Sequence, residues 1–294
     1  MERTVFLNGQ YVPESQASIS VFDRGFLFSD AVYEVTAVVN GQLVDVDVHM
    51  RRLNSSCNKL SLPLPYTQQE LCDMHEELVT LNDLKEGCVY FQLSRGNQGD
   101  RDFLCDDIAP TIVAFTQPRA LVQHPQAEDG IRVVTKDDIR WRRCDIKTTA
   151  LLAACQAKEE AKKLNADDSW WVDDEGYIVE GSSSNVFIVN AQGRLVTRPV
   201  SNALLEGITR RSILQVAVAE KLDIEEREFT LDEVYQANEA FITSATTFVL
   251  PVIAVNGRTI GSGKPGEITA LLRQCYITNA SQPAAADDND EVNG

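Results

Sequence analysis

Apolar residues come in short, β-branched runs at the start of the chain. TVFLNGQYV (residues 4–12) and YEVTAVVNGQLVDV (33–46) each hold two such runs joined at Asn-Gly, and they predict paired strands turning at that dipeptide. The spacing then becomes helical. HMRRLNSSCNKL (49–60) and QQELCDMHEELVTLNDL (68–84) place apolar residues three and four apart, which predicts two helices with one covered face. CVYFQLSRG (88–96) and APTIVAFTQ (109–117) return to strands. QPRALVQHPQAEDG (117–130) has two prolines, polar filler and no period, so it predicts a linker with a domain boundary near residue 121.

The second half opens on a strand, GIRVVTKDDI (130–139), followed by an Ala/Leu-rich run, TALLAACQA (149–157), that predicts a buried helix. SWWVDDEGYIVEGSSSNVFIVNAQGRLVTR (169–198) reads as three strands separated by an Asp-Glu-Gly turn and a tight turn at residues 190–193. SNALLEGITRRSILQVAVAEKL (201–222) is a loop feeding a helix. TLDEVYQANEAFITSATTFVLPVIAVNGRTI (230–260) gives a helix, a buried strand and another Asn-Gly hairpin, and KPGEITALLRQCYITNA (264–280) a closing helix. From Ser281 the tail is small, acidic and without large apolar residues, the composition of a disordered segment. GRTIGSGKPGE (257–267) only imitates a phosphate loop, because its first glycine is out of register and a proline replaces the required hydroxyl residue.

Composition narrows the function classes. With 294 residues the chain can bury a large core or two ordinary ones. A formal charge of −17 leaves no basic surplus for nucleic acid or an anionic membrane surface. The seven cysteines are odd in number and lack CxxC spacing, and the three histidines form no HExxH pair, so neither a disulfide framework nor a metal site is expected. MERTVFLNGQYVPE lacks the apolar core of a leader peptide, and no run approaches the ~18 apolar residues of a membrane span. A cytoplasmic location is the expectation.

Four places are chemically unusual. Lys147 stands just before the apolar run 149–157, where an ammonium must be paired or lose its proton, whereas Lys158, Lys162 and Lys163 fall on a solvated helix face. Glu180 ends a strand-like run before Gly-Ser-Ser-Ser-Asn; it is either an exposed loop glutamate or a buried carboxylate met by a cation. Gly207 precedes a helix starting at Ile208, Thr209 and Arg210, which suits either a simple cap or an anion site of free N–H groups. Ser244, Ala245, Thr246 and Thr247 form a hydroxyl-rich turn inside an apolar strand, either a bulge or further anion donors. A nucleophilic lysine, a lone carboxylate and a phosphate cradle together are what pyridoxal phosphate requires.

EGSSSNVF, then LVT, then LEGITR resembles the signature of class IV, fold-type IV pyridoxal-phosphate aminotransferases. DRGFLFSDAVYEV (23–35), VDVHMRRL (46–53), VYFQLSRG (89–96) and DIRWRRCDIK (138–147) are similar to the D-amino acid branch, and the resemblance spans residues 4 to 275. It implies an α+β, two-domain fold: a small α/β domain over 1–120, a larger pseudo-barrel α/β domain over 121–280 and the tail 281–294. It implies that Lys147 forms the Schiff base with the cofactor and serves as general base. Glu180 would meet the pyridine nitrogen, Arg52 and the helix start at Gly207, Ile208 and Thr209 the phosphate, Ser244, Ala245 and Thr246 a second phosphate loop, and Leu205 the ring face. Tyr33 and Val35 would line the substrate site. Arg51 is expected to face solvent and His49 to pack or hydrogen-bond.

The family's D-amino acid members carry an Arg-x-His pair that reaches the substrate carboxylate from a neighbouring subunit. RGNQGDRDFLCDD keeps Arg101 but has Phe103 in the histidine's place and Cys105 where proline is common. A single guanidinium still clamps a carboxylate, while Phe103 favours apolar substrates. The resemblance therefore implies a homodimer that transaminates D-amino acids such as D-alanine, with 2-oxoglutarate or pyruvate as acceptor. An (R)-selective amine transaminase, a branched-chain L-amino acid aminotransferase, an aminodeoxychorismate lyase or a non-catalytic pyridoxal-phosphate-binding paralogue are the alternatives.

Overall fold

The computed structural model describes residues 2–281; beyond Ser281 the acidic tail lies outside the described residues. The first sheet takes all its strands from the first part of the chain: β1 (Thr4–Leu7), β2 (Gln10–Pro13), β3 (Ala31–Val39), β4 (Gln42–Leu43), β5 (Gly87–Ser94) and β6 (Thr111–Pro118). Their order is β2-β1-β6-β5-β3-β4, antiparallel throughout. Asn8-Gly9 and Asn40-Gly41 make the hairpin turns, each with both residues at positive φ. Helices α1 (Arg24–Phe28), α2 (Val46–Lys59) and α3 (Gln68–Leu81) complete this part. Helix α1 escapes the sequence pattern because five residues are too few to show a period; Asp23 starts it by accepting the Gly25 N–H at 2.8 Å. Met50, Leu53 and Cys57 of α2 and Leu71, Met74 and Leu78 of α3 close over Phe91, Leu93 and Ile112 of the sheet.

His75 sits inside that core. Its Nδ1 donates to the Leu71 carbonyl at 2.7 Å, its ring stacks on Phe91 and its Nε2 has no partner. Burial pushes its pKa down from 6.5 to about 4. The folded value lies below the unfolded one, so the stability it contributes is complete above pH 6.5 and is lost as pH falls toward 4. Loss of about 2 kcal/mol is expected at pH 5 relative to pH 7.5. Urea unfolding of His75→Leu should show a flatter acid limb than the parent, and an unchanged slope would remove His75 from this role.

The second sheet is built from β7 (Ile131–Asp137), β8 (Asp168–Val172), β9 (Ile178–Gly181), β10 (Asn185–Val189), β11 (Leu195–Thr197), β12 (Ile224–Glu226), β13 (Glu239–Ser244), β14 (Phe248–Val255) and β15 (Arg258–Thr259). The order is β12-β11-β10-β13-β14-β7-β8-β9, with β15 on β14. Gly181 N–H donates to the Ser184 carbonyl at 2.7 Å and returns β9 beside β10, so the sheet curls into a half-barrel. Helices α4 (Leu152–Lys163), α5 (Ile208–Ala219), α6 (Leu231–Gln236) and α7 (Glu267–Ala280) surround it.

Three sequence expectations change. The run at 149–157 is not a buried helix: α4 starts at Leu152, buries only Ala157 and Ala161, and leaves Leu152 72% exposed. A stripe of small residues meets Trp171, Val179 and Leu204 on one side only, which is enough to seat a helix by close approach. The hydroxyl turn at 244–247 reverses the chain, so the single strand expected there is the β13–β14 hairpin. The linker is also not loose. Leu121 is fully buried in a cluster shared by Ala37 and Val39 of β3 and Phe187, Phe241 and Phe248, and its N–H is held by Glu86 at 2.6 Å.

Candidate active site

A cavity of about 200 Å³ opens between the two sheets, and residues from both line it. Lys147 reaches it from the loop between β7 and α4. Its carbonyl accepts the Tyr33 N–H at 3.0 Å and Thr148 bridges Val32, so this loop is pinned to β3. The ammonium lies 4.2 Å above the Tyr33 ring, a cation on a π face. Lys147 is half-buried and makes no ion pair among the described residues.

Glu180 lies at the end of β9, 5% exposed. The cation that meets it is Arg140, a residue sequence reasoning did not single out. Arg140 is fixed by Asp138 at 2.7 Å and stacks on Trp171. Glu180 also accepts the Leu205 N–H at 3.2 Å and an Asn185 N–H at 3.4 Å. Burial raises its pKa to about 7, against the pull of Arg140. Asp138 stands two residues before Arg140 in DIR, and that pairing was the only local signal of a clamped guanidinium.

Arg52 lies at the base of the cavity, while Arg51 is turned to solvent. Glu34, fully buried on β3, holds Arg52 through two bonds of 2.8 Å and accepts a hydrogen bond from His49 Nδ1–H at 2.7 Å. Arg52 Nη1 donates to the Glu206 carbonyl at 2.7 Å and so ties α2 to the loop before α5. Burial opposes the charge on Glu34, but Arg52 and His49 hold it well below the usual carboxylate range; burial depresses His49. Glu34→Ala strands a buried guanidinium, and a loss of about 3–5 kcal/mol in urea unfolding is expected. A change under about 1 kcal/mol would mean that Arg52 finds water instead.

Two elements with the donors an anion requires face the cavity. Helix α5 begins at Ile208 behind Gly207, with no side chain capping its free N–H groups. A Cβ on Gly207 would meet Asn185 Oδ1 at 2.0 Å, so only glycine lets the helix start approach β10. In the β13–β14 turn, Ser244 Oγ is 2.8 Å from Thr247 Oγ1 and accepts the Thr246 N–H at 3.3 Å. Thr243 Oγ1 and Ser184 Oγ, both in the cavity wall, are buried and have no partner. Unpaired buried hydroxyls and free helix N–H groups fit a phosphorylated ligand.

Lys147, Glu180, Arg52, Leu205, Gly207, Ile208, Thr209, Ser244, Ala245, Thr246, Tyr33 and Val35 thus come together around one cavity. Arg101 and Phe103 do not line it. They lie on the surface, where the Arg101 guanidinium stacks on Phe28 and Phe103, and Arg24 holds the Asp102 and Phe103 carbonyls at 2.6 and 3.1 Å.

The family model "Amino-transferase class IV" matches residues 31–255. The chain is 38% identical to the D-alanine aminotransferase of Bacillus licheniformis over 267 residues, covering 90% of this chain and 93% of that protein. It is equally similar to the D-alanine aminotransferase of Staphylococcus aureus (strain N315), covering 92% and 96%. Among solved structures, the Thermoproteus uzoniensis branched-chain aminotransferase with norvaline superposes with a TM-score of 0.84 at 27% identity, covering 96% and 95%. The Escherichia coli branched-chain amino acid aminotransferase shares the fold, with a TM-score of 0.89, 21% identity and coverage of 96% and 95%. The chain belongs to the class IV aminotransferases.

Proposed function

We propose that this protein transaminates D-amino acids such as D-alanine, with a 2-oxo acid such as 2-oxoglutarate or pyruvate as acceptor. The observation that carries this reading is the placement of Lys147, Glu180 and Arg52 around one cavity with two anion-binding elements, in a chain 38% identical to D-alanine aminotransferases. Pyridoxal 5′-phosphate is the cofactor of this family, and the unpaired hydroxyls, helix start and buried Glu180 carboxylate fit it. When bound, it acts as an electron sink that makes the substrate's α-proton acidic.

The chain's own residues do the rest. Arg52, the α5 start and the Ser244–Thr246 turn would hold the phosphate, and Leu205 would pack on the ring. Glu180, backed by Arg140, would set its carboxylate in the cavity wall against the cofactor ring. The Lys147 amine would take the proton from the substrate Cα and, as the ammonium, serve as the acid that gives it back, and its seat on the Tyr33 ring keeps both transfers on one side of the site. Tyr33 and Val35 shape the substrate side.

We assign residues 1–120 and 121–280 to a small and a large domain, because each sheet draws its strands from one side of residue 121. A second copy of the chain would bring Arg101 and Phe103 over the cavity, making the working unit a homodimer. Exposed Phe26, Phe103 and Leu104 (the last 81% exposed) offer it an apolar surface. We place the enzyme in the cytoplasm, on the strength of seven free cysteines; no helix among the described residues is long and apolar enough to cross a membrane. A second reading, (R)-selective amine transamination, is favoured by Phe103, an apolar side chain stacked against Arg101 in the loop after β5. Pyruvate formation from D-alanine with 2-oxoglutarate, absent with L-alanine, is the expected result. Equal rates with L-alanine, or faster turnover of (R)-1-phenylethylamine, would overturn the preferred reading.

A further inference from the structure

Helix α7 contributes no residue to the cavity wall, yet it carries a buried guanidinium with an unusual set of partners. Arg273 is 8% exposed, and no carboxylate pairs with it among the described residues. All its bonds go to backbone carbonyls. Nη1 donates to Thr247 at 2.8 Å and Val249 at 2.7 Å; Nη2 donates to Leu121 at 2.7 Å and Val122 at 3.0 Å. Burying an unpaired cation is costly, and an apolar residue could fill the space.

The carbonyls it grips explain its presence. Thr247 and Val249 flank Phe248, which has φ of +58°. That left-handed conformation is rare for a bulky aromatic and costs about 1–3 kcal/mol. It occurs where β14 leaves the turn that presents Ser244, Ala245 and Thr246 to the cavity. One N–H group pair spanning the carbonyls on either side of Phe248 holds the backbone in this shape. Tyr276, one turn further along α7, packs edge-on against the Phe248 ring at 5.0 Å. The second half of the guanidinium fixes the linker carbonyls, whose own N–H groups are taken by Glu86.

We infer that Arg273 is the positioning residue of the anion-binding turn at 244–247: it fixes the left-handed Phe248 and ties the turn to the linker at Leu121 and Val122, so that the turn's hydroxyls stay set for a phosphate group. This rests on the cofactor reading above. Lysine cannot replace Arg273, because one ammonium has no planar fork to serve two carbonyl pairs at once.

The test separates the phosphate from the rest of the cofactor. Dissociation constants for pyridoxal 5′-phosphate and for pyridoxal are measured by fluorescence on cofactor-free parent, Arg273→Lys and Arg273→Gln proteins. The parent should prefer the phosphorylated form. Arg273→Gln should weaken pyridoxal 5′-phosphate about tenfold or more and pyridoxal by less than about twofold, with Arg273→Lys between. A preference unchanged in both variants, or an equal weakening of both ligands, overturns the inference. A parent without any preference overturns the cofactor reading and the inference with it. Should neither variant fold, hydrogen exchange on the parent decides: saturating inorganic phosphate should slow exchange across both 244–250 and 121–124. Protection confined to 244–250, or none, contradicts the link.

Discussion

Lys147→Ala should lower turnover by about 10⁴-fold or more while leaving the protein folded. The loop that carries Lys147 is held by its backbone, through the Tyr33 N–H and the Val32–Thr148 bridge, so truncating the side chain removes no structural contact except the one with the Tyr33 ring. Lys147→Arg should be as inactive as the alanine variant, since a guanidinium keeps its positive charge but does not give up its proton. Circular dichroism and urea unfolding would report an intact fold beside the lost activity. An arginine variant with more than about a hundredth of the parent's rate would show that the charge, and not the transferable proton, is what the reaction uses.

Glu180→Gln should lower kcat by about 10²–10³-fold with little change in fold. The amide keeps the shape of the side chain and can still accept the Leu205 N–H, but it carries no charge to set against the cofactor ring or Arg140. Arg140 then keeps Asp138 as its one carboxylate among the described residues, beside the Ala203 carbonyl and the Trp171 ring. The loss should fall on kcat and not on KM, because the charge acts on the developing carbanion and not on the bound substrate. A loss confined to KM would place Glu180 in substrate binding instead.

The contrast between these residues and their partners shows what the sequence could reveal. Lys147, Glu180 and the Gly207 helix start were legible because each breaks a local rule: a cation beside an apolar run, a carboxylate closing a strand, a glycine before a helix. Their supports were not. Glu34 meets Arg52 across 18 residues and Arg140 meets Glu180 across 40, and only the fold brings them together. Nothing near Arg273 in sequence shows that its partners are carbonyls at 121 and 247. The strand pattern is legible where β-branched runs end at Asn-Gly; at 244–247 the expected hydroxyl-rich turn is present, but it joins β13 to β14 and does not interrupt a single strand. The run at 149–157 misled because alanine and leucine suit an exposed helix with one small-residue seam as well as a buried one.

The most direct test of D-amino acid transamination at Lys147 is a single half-reaction. Protein loaded with pyridoxal 5′-phosphate is mixed with D-alanine, L-leucine or (R)-1-phenylethylamine without an acceptor, and the visible absorbance is followed. Rapid bleaching by D-alanine, little by the other two and none in Lys147→Ala is the expected result. Bleaching chiefly by L-leucine or by the amine would contradict the substrate assignment, and bleaching of Lys147→Ala at the parent's rate would contradict the site.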